Sequence, residues 1–258
     1  MDITSLNSPN FDERTLPISL LVLHYTGMES GAVAIERLCN PEAKVSAHYV
    51  IAEDGKILSL VAETHRAWHA GVSQWQGETN VNSASIGIEI VNGGHDFPDE
   101  TGDLPPFPQA QINAVIFLCK DIISRLGPLS ILGHSDVAPL RKVDPGEHFP
   151  WEVLAATGLG FWPRLERQDE RVLFEAESRD RGVAIVQRGL AHIGYGAHVT
   201  GVMDENTQAI IKAVQRRYRP RKIDGVVDID TMEIIKLLAE TASSPSLPND
   251  YEVIIAET

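Results

Sequence analysis

An apolar run at residues 18–25 that ends on His24 and Tyr25 predicts a buried strand. After it, Ser30 can cap a helix reaching Leu38, with Val33, Ile35 and Leu38 on one side and Glu36 and Arg37 on the other. Residues 47–52 and 56–61 read as two strands joined through Glu53, Asp54 and Gly55, a hairpin signal. Residues 85–91 alternate small, apolar and polar positions around Glu89, as a strand does. In residues 109–126 Ile112, Val115, Ile116, Cys119, Ile122, Ile123 and Leu126 recur at helical spacing, and a short strand at 129–132 then leads into Gly133-His134. Strands interleaved with helices predict an α/β unit, a mixed β-sheet flanked by helices. The Gly-, Pro- and Asp-rich residues 93–108 are expected to form a long surface loop rimming a site.

The pattern changes near Arg164. A charged stretch, 164–171, opens an expected linker at 164–178, so residues 1–163 are taken as one domain. Beyond it lies a repeat: residues 201–212 align with 225–236. Each copy has a glycine (Gly201, Gly225), an Asp able to cap a helix (Asp204, Asp228) and an isoleucine pair a turn later. With a helix at about 184–193, this predicts a small three-helix domain over 179–242, followed by a Ser/Pro-rich, acidic tail at 243–258.

Composition narrows the function. With 258 residues and a formal charge of −14, the chain lacks the basic balance that phosphate binding needs, so no nucleic-acid partner is expected. No apolar run is long enough to span a bilayer, and no signal peptide is evident at the first residues. Cys39 and Cys119, each within an apolar helical pattern, are expected to be inert thiols.

The chemistry gathers around a few polar residues at element ends. His24 closes one strand, His134 follows another, and Asp144 sits in an Asp-Pro-Gly turn. Each alone has an ordinary structural reading. Together they can fill three of zinc's four positions and leave one for water, the ligand count of a catalytic site. Glu89, a carboxylate inside an apolar strand, is the candidate general acid/base. Lys142, two residues before Asp144, can supply charge to an oxyanion.

The motifs His24-Tyr25-Thr26, Ala47-His48-Tyr49, Ala67-Trp68-His69-Ala70-Gly71 and Ser85-Ile86-Gly87-Ile88-Glu89 occur in that order. They are followed by Gly133-His134-Ser135-Asp136 and Arg141-Lys142-Val143-Asp144-Pro145-Gly146. This series resembles the zinc-dependent N-acetylmuramoyl-L-alanine amidases of type 2, and within them the AmpD/AmiD group, from about residue 20 to 151. The resemblance implies one zinc ion per chain on His24, His134 and Asp144, Glu89 as acid/base and Lys142 as transition-state stabiliser. It places His48, Trp68 and His69 in the pocket holding the muramyl group and stem peptide, with Asn92 and Arg141 as candidate contacts to stem-peptide carboxylates. His65 and His95 read as ordinary surface residues, and Trp151 as core.

The repeat resembles the three-helix peptidoglycan-binding domain attached to cell-wall hydrolases; a helical dimerisation module is the other reading. A tethered wall-binding module raises effective substrate concentration without entering the chemistry. Its removal is therefore expected to spare cleavage of soluble fragments. The expected function is hydrolysis of the bond between N-acetylmuramic acid and L-alanine in peptidoglycan or muropeptides. A non-catalytic peptidoglycan sensor on the same scaffold is the alternative, and a zinc hydrolase of unrelated amides a third. Asp144, Glu89 and Lys142 are all present, which favours the enzyme. A wall-binding domain points to the periplasm or cell exterior, and the lack of a visible signal peptide to the cytoplasm.

Overall fold

The fold is described from a computed structural model over residues 2–242; the expected tail, 243–258, lies outside the described residues. Strands β1 (Ile3–Ser5), β2 (Phe11–Glu13) and β3 (Leu20–Tyr25) lead into helix α1 (Gly31–Cys39). Then come β4 (Tyr49–Ile51), β5 (Ile57–Ser59), β6 (His65–Ala67), the short helix α2 (Val81–Ala84) and β7 (Ser85–Ile90). Helix α3 (Gln109–Leu126), β8 (Ser130–Gly133), α4 (His134–Val137) and α5 (Trp151–Ala156) complete the first part. Six strands form one mixed sheet in the order β1-β5-β4-β7-β3-β8, while β2 pairs with β6 apart from it. Among the described residues only β4 and β5, the expected hairpin, are antiparallel within the large sheet. The short strands β1 and β2 carry no apolar alternation and are wholly exposed, so nothing in their pattern announced them.

Side-chain alternation divides the sheet into two faces. Leu21 and Leu23 of β3, Ile86, Ile88 and Ile90 of β7 and Ile131 of β8 pack with Ile112, Val115, Leu118 and Ile122 of α3. On the opposite face lie Leu20, Val22 and Leu132. The parallel register sets Leu20 beside Ser85, Val22 beside Gly87 and His24 beside Glu89. That second face is thus apolar at the start of the strands and polar at their carboxyl ends, where ligands bind in open α/β sheets. Cys119 of α3 is buried, and burial pushes its thiol up to about 12, which suits an inert role.

The apolar half of that face shares one buried cluster with Val81 and Ala84 and with the rest of the chain. Here β9 (Val172–Phe174) pairs with β10 (Val227–Asp228), and three helices follow the expected pattern: α6 (Arg181–Ile193), α7 (Glu205–Tyr218) and α8 (Ile229–Thr241). Asp204 and Asp228 cap α7 and α8 by accepting from the backbone N–H of Thr207 and Thr231. The repeat extends to a residue its pattern did not flag. Gln187 of α6 accepts from the N–H of Thr200 and Gly201 and donates to Thr207, and Gln215 of α7 does the same for Asp224, Gly225 and Thr231.

Two expectations change here. The segment 164–178 is not a free linker throughout, because β9 falls inside it and Phe174 is buried among the helices. Its Val-Leu-Phe triplet supplies the apolar surface that a tether lacks. Nor is the helical unit a separate bead: one continuous core joins Leu20, Val22, Leu132 and Val137 to Ile210, Val214 and Tyr195.

Candidate metal centre and active-site cleft

The carboxyl ends of β3, β7 and β8 open into a cleft of about 420 Å³. Its floor holds three donor atoms. His24 Nδ1, His134 Nδ1 and Asp144 Oδ2 lie 3.0 Å from one another on every side, and all three residues are buried. A tetrahedron with bonds of about 2.0–2.1 Å has edges of about 3.3 Å, so this triangle is close to one face of such a site. The protonation pattern fits a cation as well. His134 Nε2–H donates to Ala70 O at 2.9 Å, which leaves Nδ1 as a lone-pair donor facing the other two. Three lone-pair atoms aimed at one buried point repel unless something positive lies between them.

A relay holds the other histidine. His24 Nε2–H donates to His69 Nδ1 at 3.0 Å, His69 Nε2–H to Ser85 Oγ at 3.1 Å, and Ser85 Oγ–H to Val81 O. Every donor in that chain has one acceptor, so the tautomer of His24 is set from a distance. Burial, followed by the neighbouring His134, pushes His24 down to about 4, so it is a neutral base at neutral pH. Burial by itself would raise Asp144; protonated rings at His134 and His24 would hold it far below the usual carboxylate range, and with both Nδ1 atoms unprotonated that role falls to a cation between them.

Beside the triangle, Glu89 stands on β7 in register with His24. Its Oε2 is buried without a hydrogen-bond partner among the described residues. Burial raises its carboxyl well above the ordinary value, the charge of Asp144 raises it further, and Lys142 partly offsets both. Lys142 lines the same cleft. A triangle of donors able to hold a metal ion, a carboxylic acid of raised pKa and a lysine around one cleft can activate water against a polarised carbonyl.

Residues 14–147 match the N-acetylmuramoyl-L-alanine amidase family. The chain is 36% identical over 234 residues to the N-acetylmuramoyl-L-alanine amidase AmiD of Escherichia coli (strain K12), spanning 86% of this chain and 83% of that protein. It belongs to the N-acetylmuramoyl-L-alanine amidase family. A second amidase relative, the 1,6-anhydro-N-acetylmuramyl-L-alanine amidase AmpD of Haemophilus influenzae, is 35% identical over 173 residues, 58% of this chain and 89% of that one. The fold matches the structure of E. coli AmiD in complex with anhydro-N-acetylmuramic acid-L-Ala-D-gamma-Glu-L-Lys, with a TM-score of 0.74 and 33% identity. That match covers 86% of this chain and 89% of AmiD. Residues 179–235 match a peptidoglycan binding domain family.

The remaining sequence candidates of this amidase divide. Trp68, His69 and Arg141 line the cleft. Trp68 is half-buried, with Nε1–H donating to Asp12 at 3.0 Å. His69 is the link in the relay just described. The Arg141 guanidinium is bound to Ala70 O and Val72 O, so it braces the segment that receives His134 Nε2. Asn82 of α2, which the sequence did not single out, braces it from the other side by accepting from His69 N at 3.0 Å and Ala70 N at 2.7 Å.

His48 and Asn92 are corrections. His48 is fully buried, is not among the residues lining the cleft, accepts from Gly87 N–H at 2.9 Å and bonds His65 O at 3.1 Å. It ties strands together behind the cleft and does not reach substrate space. Asn92 is also buried; its Nδ2 donates to Pro105 O at 2.8 Å and its Oδ1 accepts from Gly94 N, so it shapes the 93–108 loop. His95 moves the other way. Expected at an ordinary surface, it lines the cleft rim, bonded to Tyr25 OH at 3.0 Å. Its only sequence signal was its place in a loop expected to rim the site.

Proposed function

We propose that this amidase hydrolyses the amide bond between the lactyl carbonyl of N-acetylmuramic acid and L-alanine in peptidoglycan fragments, with one zinc ion on His24, His134 and Asp144. The observation that carries the proposal is the 3.0 Å triangle of two imidazole nitrogens and one carboxylate oxygen on the cleft floor. Two nitrogens and one oxygen suit zinc, and three protein ligands leave a position for water or substrate. Bound there, zinc would act as a Lewis acid toward the scissile carbonyl and lower the pKa of a water molecule to about 7.

The chain's own residues do the rest. Glu89 takes the proton of the attacking water on its carboxylate and returns it to the nitrogen of the departing L-alanine. Its raised pKa suits both halves of that task, because the proton must be held and then released. Lys142 places positive charge near the carbonyl oxygen as negative charge develops there. His69 and Ala70 O keep the two imidazoles in the tautomers that present Nδ1. Trp68 lines the cleft with an indole, an apolar surface suited to a sugar. The match of residues 179–235 to a peptidoglycan binding family supports a wall-facing location and polymeric peptidoglycan as a further substrate.

The test is incubation of purified protein with anhydro- and reduced muropeptides, with free stem peptide followed by mass spectrometry. Stem peptide should appear with zinc and vanish after chelation. The Glu89→Gln variant should keep zinc stoichiometry while kcat falls by about 100-fold or more. Tight binding of intact muropeptide with no release would instead make the protein a sensor.

A further inference from the structure

We infer that the last turn of α7 is a positioning element of the metal centre, with Arg217 as its principal residue. The inference rests on reading His24, His134 and Asp144 as the metal ligands. Arg217 comes from the helical unit yet is buried in the amidase unit, at 8% exposure. Its Nη1 donates to Asp136 Oδ2 at 2.6 Å and its Nη2 to Ile131 O at 2.9 Å, while the guanidinium lies 4.0 Å over the Trp151 ring. Asp136 stands two residues after the ligand His134. The same Oδ2 accepts from the N–H of Gly133, the residue just before that ligand, at 2.8 Å. Oδ1 accepts from Tyr195 OH at 2.9 Å, again from the helical unit.

One carboxylate therefore fixes both ends of the His134 turn and is itself oriented by two residues more than 50 positions away. The second ligand loop is attached to the first, since Ser135 N–H donates to Asp144 O at 2.9 Å. Space is closed around it as well: a Cβ on Gly133 would lie 2.8 Å from Pro145 Cδ and 3.3 Å from Trp151, the ring that Arg217 covers. The neighbouring Arg216 makes a 3.5 Å charge contact with Glu147, three residues beyond Asp144. Both ligand loops thus meet the same helical turn. Three donors that must converge on one ion tolerate little displacement, and residues that orient ligands tune metal affinity. A lysine at 217 would keep the charge but not the fork that serves Asp136 and Ile131 O together.

The test uses the full chain and two variants, Arg217→Lys and Tyr195→Phe. Zinc affinity is measured by competition with a chromophoric chelator, thermal unfolding of the metal-free protein by circular dichroism, and kcat and KM on a soluble muropeptide. Arg217→Lys should weaken zinc binding by about 10–100-fold and lower kcat with KM unchanged, while metal-free unfolding stays cooperative. Tyr195→Phe, which removes one hydroxyl and keeps the ring packed on Trp75, should weaken zinc binding in the same direction. Zinc affinity and kcat equal to wild type in both variants, with only the melting midpoint lowered, would reduce α7 to a structural prop and overturn the inference. Should Arg217→Lys fail to fold, Tyr195→Phe decides alone. The two readings fail separately. Zinc affinity lost in a protein that cleaves no muropeptide removes the amidase chemistry and keeps the positioning; affinity untouched in a protein that cleaves removes the positioning and keeps the chemistry.

Discussion

At the residue scale, Gly87 shows how a missing side chain serves the centre. It sits in β7 on the face it shares with Ser85 and Glu89, beneath the His69 ring. A Cβ there would lie within 2.6 Å of His69 Nδ1, the atom that accepts from His24. Any side chain must push the ring off the strand and break the relay that sets the His24 tautomer. Gly87→Ala is therefore expected to weaken zinc affinity by about 10-fold or more, measurable by chelator competition. Affinity equal to wild type would mean that His69 does not orient His24. The position also shows what a sequence can convey. That His24, His134 and Asp144 come together was legible from the strand ends and the Asp-Pro-Gly turn only jointly, and largely through the resemblance that the motif series carries. His48 and Asn92 lie in motifs just as suggestive, yet both turn inward to backbone groups far along the chain. Which way such a side chain turns depends on its partner's position, and spacing does not report that.

At the scale of elements, the strands behind the cleft are tied by a histidine that stays neutral. His48 precedes β4 and is held between Gly87 N of β7 and His65 O of β6, with the Arg14 guanidinium 2.8 Å from its Nε2. Burial, and then the charge of Arg14, pushes it down to about 3. In the unfolded chain it takes up a proton near pH 6.5, whereas the folded protein refuses one until far lower pH. Unfolding thus binds a proton between those values, and stability falls as pH drops through that window, by about 1.4 kcal/mol per pH unit from this residue. Denaturant unfolding of wild type between pH 6 and 4 should show this slope, and His48→Gln, whose amide can keep both bonds, should be shallower by about one proton. Identical slopes would remove His48 from the acid response. The sheet, α3 and the three later helices were readable from their apolar periods. The strands β1, β2 and β6 were not, because short exposed strands carry no period and exist only through their partners.

At the scale of the whole molecule, the sequence divides where the core does not. The charge run and the repeat argue for a tethered module, and a tether predicts that amidase activity survives its loss. The packing argues otherwise. Leu20, Val22, Leu132 and Val137 are almost wholly buried, in one cluster that holds Val81 and Ala84 of the amidase unit together with Ile210, Val214 and Tyr195 of the helical unit. Exposing each such side chain costs about 1.5–3 kcal/mol. Asp136, 1% exposed, would lose Arg217 and Tyr195 together, and stripping one partner from a buried ion pair costs about 3–5 kcal/mol. Against a typical domain stability of about 5–15 kcal/mol, these losses are large enough to unfold the remainder. A chain ending at residue 163 is expected to aggregate or to melt without a cooperative transition, and to cleave soluble muropeptide far more slowly than the full protein. Circular dichroism melts, dye binding to exposed apolar surface and the stem-peptide assay check this together. A sharp melt with undiminished cleavage of soluble substrate would show that the amidase sheet closes its own face, and would return the helical unit to the role of a tether.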